Sequence, residues 1–154
     1  MMSTTVLSRA RPANCQGAHS HRSLNILLAE SQHNVLYALS LALRTDGHTV
    51  TGATDGSELL EEVARLIIDG DRNQFDVIIS AQDLPGMPGI SVLAGLRACG
   101  RQTPFVLMTD NTAVQVHARA LDAFILPSPL SVESLRDVVH QAEHTTHEAA
   151  QSFG

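Results

Sequence analysis

A fivefold alternation of short aliphatic runs with stretches of helical periodicity is the feature that most restricts how this chain can fold. NILLA (25–29), HTVTGAT (48–54), FDVIIS (75–80), PFVLMT (104–109) and AFIL (123–126) are short and aliphatic or β-branched, as strands are. The intervening segments place apolar residues at helical spacing. Residues 33–44 carry Leu36, Leu39 and Leu43, and Gly47 is placed to end the helix. Asp55-Gly-Ser-Glu58 provides an N-cap acceptor with an acid three residues on. The helix it opens has Leu59, Leu60, Val63, Leu66 and Ile67 on one side, Glu61, Glu62 and Arg65 on the other, and Gly70 as terminator. Ile90 to Ala98 is a short helix with Val92, Leu93 and Leu96 inward, and the weaker pattern of 112–120 is the fourth helix. Ser131 caps a last one, with Leu135, Val138, Val139 and Ala142 on its apolar face.

Five βα units joined by short connections predict an α/β fold: a doubly wound, five-stranded parallel sheet with helices on both faces. Sites in such sheets gather at the carboxyl ends of the strands. Attention therefore falls on Ala29 to Gln32, Ala53 to Asp55, Ser80 to Pro88, Thr109 to Asn111 and Leu126 to Pro129.

Composition bounds the function. With 154 residues, 44% of them hydrophobic, the chain suits one domain with tails, and with one Tyr, four Phe and no Trp its core must be aliphatic. A formal net charge of −6 argues against a nucleic-acid partner. No apolar run approaches the roughly 20 residues that span a bilayer, and the amino terminus lacks a secretory apolar core. Cys15 and Cys99 lie in unrelated contexts, which argues against a disulfide and for a reducing, cytoplasmic setting. Residues 1–23 hold Arg9, Arg11 and Arg22 and no acid; Pro12 and the missing apolar stripe make them an N-terminal tail rather than a transit peptide. The domain is expected over 24–143, with 144–154 a flexible C-terminal tail.

NILLAE, HTVTGATDGSELL, FDVIISAQDLPGMPGISVL, TPFVLMT and ILPSPLSVESL resemble, in order and spacing, the receiver domain of two-component response regulators. The resemblance covers roughly 24–143, and its most specific parts are the PGMPG loop and the Pro127-x-Pro129 turn. It implies a flavodoxin-like (βα)5 fold with strand order 2-1-3-4-5. In the family, an acidic pair after strand one and an Asp ending strand three hold Mg²⁺, and that Asp accepts a phosphoryl group. A Thr or Ser ends strand four, and a Lys lies between the prolines after strand five.

Carried onto this chain, the resemblance makes Glu30 and Ser31 the acidic pair, Ala81 the acceptor position, Thr109 the hydroxyl and Ser128 the lysine position. A methyl group is no nucleophile, so Ala81 cannot form an acyl phosphate. Glu30 beside neutral Ser31 is a poor donor set for Mg²⁺, so the ion is not expected to bind. Ser128 supplies no cation for phosphoryl oxygens. The aromatic that moves with the hydroxyl in the family maps to Ile125, so the switch pair is missing too. Thr109 is then expected to satisfy a backbone group at the strand end. Asp83 lies two residues past Ala81, about 6.5 Å along an extended chain, and is expected to face solvent.

The implied protein is a pseudo-receiver with no catalytic activity, acting as a phosphorylation-independent protein–protein interaction module in bacterial signalling. Its signalling partner would bind through the face made by helix four, strand five and helix five, and a homodimer is compatible with it. With this length there is no room for a DNA-binding output domain, so the chain is expected to be a stand-alone adaptor or an isolated input module of something larger. Two alternatives stand beside this reading. One is a cryptic phosphotransfer receiver using Asp83 or another acid; the other is a small-ligand sensor in a pocket lined by Ser31, Ser80 and Ser128. His140, His144 and His147 share a helix face, and Cys15-x₃-His19-x-His21 lies in the tail. Both raise the question of a metal, and solvated histidines are the simpler expectation for each.

Overall fold

Strand β1 (Asn25–Ala29) leads into helix α1 (His33–Thr45), and the same step recurs four times: β2 (Thr49–Ala53) and α2 (Gly56–Asp69), β3 (Val77–Ala81) and α3 (Gly89–Ala98), β4 (Phe105–Met108) and α4 (Thr112–Ala120), β5 (Phe124–Leu126) and α5 (Val132–Phe153). A computed structural model describes residues 22–69, 75–127 and 131–153. All strand pairs are parallel and the order is β2-β1-β3-β4-β5, as the resemblance implied. The reversal of winding lies between β1 and β3, which pair through Ile26↔Val77 to Ala29↔Ser80.

The period-two alternation of the strands divides the core into two layers. On one face Leu27, Ala29, Ile78, Phe105 and Leu107 pack against Leu59, Val63 and Leu66 of α2, Val92, Leu93 and Leu96 of α3, and Ala118 of α4. On the other, Ile26, Leu28, Val77, Ile79 and Val106 meet Leu39 and Leu43 of α1 and Leu135, Val138, Val139 and Ala142 of α5. β3 is buried at every residue, because it sits centrally with helices above and below.

Local signals explain the helix ends. The Asp55 carboxylate accepts from Glu58 N–H at 2.8 Å, while Glu58 Oε1 accepts from Thr54 N–H at 2.7 Å, one residue further back than in the usual reciprocal box. Ser131 Oγ accepts from Ser134 N–H at 3.0 Å. Gly47 has φ +97° and donates its N–H to Arg44 O, the left-handed stop expected of glycine. Gly70 lies outside the described residues.

Three expectations change. Leu60 was placed on the apolar side of α2 but is 42% exposed, because Leu59, Val63 and Leu66 already form the inward stripe and Leu60 lies about 100° off it. α5 carries helical backbone to Phe153, past the boundary at 143; that extension includes Glu148-Ala-Ala-Gln151, residues of good helix propensity. Arg22 and Ser23, expected within the N-terminal tail, make contacts with the domain. Arg22 pairs with Asp76 at 3.5 Å, Ser23 Oγ donates to Gly47 O at 2.7 Å, and Leu24 N–H donates to His48 Nδ1 at 3.1 Å. Cys15, His19 and His21 lie outside the described residues, and Cys99 is an exposed thiol. Among the described residues no helix is long and apolar enough to cross a membrane.

Candidate functional site

The carboxyl ends of β1, β3 and β4 open onto a cleft of about 500 Å³. Glu30, Ser31, Ala81, Asp83 and Thr109 all line it, whereas Ser80 and Ile125 are not among its lining residues. Ser128 lies outside them. Ala81 is the last residue of β3, 8% exposed, with Ser80 fully buried beside it. Ser80 Oγ donates to Ala81 O at 2.8 Å and so is committed to backbone rather than aimed into the cleft.

Glu30, Thr109 and Asn111 are engaged by the loops that carry them. Glu30 Oε2 accepts from Gln32 N–H at 3.0 Å, at the entry to α1, where Gln32 makes no side-chain cap of its own. Thr109 Oγ1 accepts from Asn111 N–H at 3.1 Å, and Thr109 O accepts from Gln115 Nε2 at 2.8 Å. Asn111 caps α4 through Oδ1 to Val114 N–H at 3.0 Å. The hydroxyl and carbonyl of Thr109 are thus held by the first turn of α4. Ile125, half-buried on β5 and in register with Leu107, packs into the same core layer as Leu107. Asp83 is exposed at the rim.

Gln82, Asp110 and Asn111 carry no signal in a reading by motif, whereas Gly89 closes the PGMPG loop. Gln82 is the clamp of the PGMPG loop: its Oε1 accepts from Ile90 N–H at 2.9 Å and its carbonyl from Gly89 N–H at 3.0 Å, while its N–H donates to Met108 O at 3.1 Å. Gly89 lets α3 approach the strand end, since a Cβ there would lie 2.5 Å from Ala81 O and 2.9 Å from Ser80 Oγ. Asp110 and Asn111 also line the cleft. Its charged lining residues, Glu30, Asp83 and Asp110, are therefore all acidic. The ten basic residues of the chain are all arginines, with no lysine among its 154 residues.

Behind the site, Arg97 of α3 ties two loops together, the one between α3 and β4 and the one between α4 and β5. It donates to Leu121 O at 2.7 Å, Thr103 O at 2.9 Å and Arg101 O at 3.0 Å. Partial burial lowers its pKa from the ordinary guanidinium value, and nearby Asp122 opposes that shift. On the opposite layer, Arg136 of α5 grips the Asp46 carboxylate with two bonds of 2.7 and 3.0 Å; those hydrogen bonds raise its pKa.

The response regulator receiver domain model matches residues 26–126, which run from β1 to β5. The chain is 30% identical over 137 residues to response regulator MprA of Mycobacterium ulcerans, covering 84% of this chain and 56% of that protein. It is 31% identical over 115 residues to MprA of Mycobacterium leprae, covering 73% and 47%. The chain thus spans about half the length of the curated relatives it matches. Among solved structures, the receiver domain of Francisella response regulator 1452 superposes with a TM-score of 0.70 at 25% identity, over 80% of this chain and 99% of that one. Chemotaxis response regulator CheY4 of Vibrio cholerae shares the fold, with a TM-score of 0.65 at 23% identity over 79% of this chain and 99% of that one. On these grounds the chain belongs to the response regulator receiver domain family.

Proposed function

We propose that this receiver domain has lost its phosphorylation chemistry and serves as a phosphorylation-independent protein–protein interaction module in signal transduction. The observation that carries the reading is Ala81 at the end of β3, where the family resemblance calls for an acceptor aspartate. A methyl group can neither attack phosphorus nor ligate a cation. The surrounding groups support the same reading. The residues present do not fit Mg²⁺, which needs several hard oxygen donors in an octahedral array. Ser31 is neutral, the Glu30 carboxylate is turned toward Gln32 N–H, and among the described residues no three His, Cys, Asp or Glu side chains are grouped to hold an ion. The chain contains no lysine to neutralise phosphoryl oxygens.

A switchable receiver interconverts between two states whose populations the phosphoryl group shifts. Here the Thr109 hydroxyl is held by Asn111 N–H, and the aromatic partner is replaced by Ile125, so both ends of that switch rest in one arrangement. The domain then presents a constant surface, and regulation comes through abundance, partner binding or another modification. The partner surface is the one formed by α4, β5 and α5. α4 and α5 both pack on β5, an edge strand, and the face exposes Val116 (61%) and Val132 (40%). The protein has no catalytic role in this account, and it works in the cytoplasm.

Asp83 favours one rival, a relocated phosphoacceptor, since it lines the same cleft. Incubation with Mg²⁺ and a small-molecule phosphoryl donor, followed by intact-mass measurement, separates the two. The unmodified mass is expected; an adduct of one phosphoryl group, lost in Asp83→Asn, establishes the rival.

A further inference from the structure

Two imidazoles meet on the last helix. His140 and His144 are both exposed, their Nε2 atoms lie 3.1 Å apart, and their rings stand edge to face with centroids 4.5 Å apart. We propose that this pair is a binding site for a late first-row divalent cation of the Zn²⁺, Ni²⁺ or Cu²⁺ class.

The two Nε2 atoms share a hydrogen bond, and their spacing suits a chelate in which an ion replaces the shared proton and that ring carries its proton on Nδ1 instead. Nitrogens 3.1 Å apart, each about 2.05 Å from one ion, subtend an angle of about 98° there. That lies between the 90° of tetragonal and the 109° of tetrahedral coordination, both accessible to ions that favour imidazole. Neutral imidazole is the usual protein ligand for these metals. Both rings are open to solvent, and His140 borders a groove of about 370 Å³ whose other lining residues include Asp46, His48, Arg136 and Glu143. His48 Nδ1 accepts from Leu24 N–H, and both carboxylate oxygens of Asp46 accept from Arg136, so these two are committed elsewhere. Among the described residues no third His, Cys, Asp or Glu is grouped with the pair.

The position gives the ion a structural consequence. Ala142, between the two histidines, is a fully buried residue of α5, which continues eleven residues further, to Phe153. An ion bridging 140 and 144 links the last turn packed on the sheet to the turn that follows it. Cross-linking positions i and i+4 restrains the helix there, so helix order past the core becomes responsive to metal.

Calorimetric titration of the full chain with Zn²⁺, alongside His144→Asn and His140→Asn/His144→Asn, tests this. The side chains are exposed, and far-ultraviolet spectra of the metal-free variants verify that each folds. The expected result is one ion per chain at this pair, an affinity roughly tenfold or more weaker in the single variant, and a Zn²⁺-induced rise in helical signal confined to the wild type. Binding that is unchanged in the double variant, or no binding by the wild type at about 0.1 mM Zn²⁺, overturns the proposal. Neither result bears on Ala81 or its cleft.

Discussion

Gly56 offers a quantitative test of how the PGMPG loop is held over the cleft. It opens α2 and donates its N–H to Pro85 O at 2.9 Å. A Cβ at this position would lie 2.3 Å from Met87 O, 2.7 Å from Met87 N and 2.7 Å from Met87 Cβ. Ordinary contact begins near 3.4 Å, so the closest approach falls short by about 1 Å. None of the three atoms belongs to the movable end of a side chain, so α2 and the loop must separate. Overpacking of this kind costs about 1–3 kcal/mol. Weakening the bond to Pro85 adds up to about 1 kcal/mol. The better helix propensity of alanine returns about 1 kcal/mol at most. Gly56→Ala is therefore expected to destabilise by about 2 kcal/mol and to lower Tm by about 4–8 °C in a domain of this size. Gly95 is the internal control, because it lies within α3 with nothing within 4 Å of its would-be Cβ. Gly95→Ala should stabilise by about 1 kcal/mol. Urea and thermal unfolding followed by circular dichroism measure both. A Gly56→Ala protein as stable as wild type, or a Gly95→Ala protein less stable than Gly56→Ala, refutes the packing argument.

Other consequences follow from single contacts. Arg97→Lys keeps the charge but loses the planar fork that reaches the Leu121, Arg101 and Thr103 carbonyls; it should cost about 1–2 kcal/mol, and Arg97→Met more, by urea unfolding. Val116→Glu, at an exposed position of α4, should leave stability within about 0.5 kcal/mol and reduce partner recovery in a quantitative capture experiment. Tyr37→Ser on α1, where Tyr37 is 69% exposed, should leave recovery unchanged; the opposite pattern moves the partner face to α1.

Much of the fold was legible because its periodicities are unambiguous. β3 reads as a continuous apolar run and is buried throughout; Leu135, Val138, Val139 and Ala142 repeat at helical spacing and all face the sheet. The caps at Asp55 and Ser131 were legible for the same reason, since a short polar side chain before an apolar repeat has a local partner three residues on. What escaped notice depends on contacts distant in sequence. Arg97 reaches carbonyls up to 25 residues away, and Gly56 is required by Met87 rather than by its own helix. Gln82 matches no motif, yet it joins the end of β3 to both β4 and α3. Leu60 was misplaced because a leucine beside a full apolar stripe has no room to turn inward. At the site, residue types indicated missing groups, while coordinates were needed to find Glu30 engaged at the entry to α1 and Thr109 held by α4.

The central claim is that the domain occupies one state that phosphoryl chemistry cannot shift. Amide spectra of the isotopically labelled chain, recorded with and without Mg²⁺ plus beryllofluoride as a phosphoryl mimic, test it most directly. The account predicts superimposable spectra, with the signals of Gln82, Thr109, Asn111 and Ile125 unmoved. Saturable shifts confined to the cleft and spreading to β5 and α4 would contradict it.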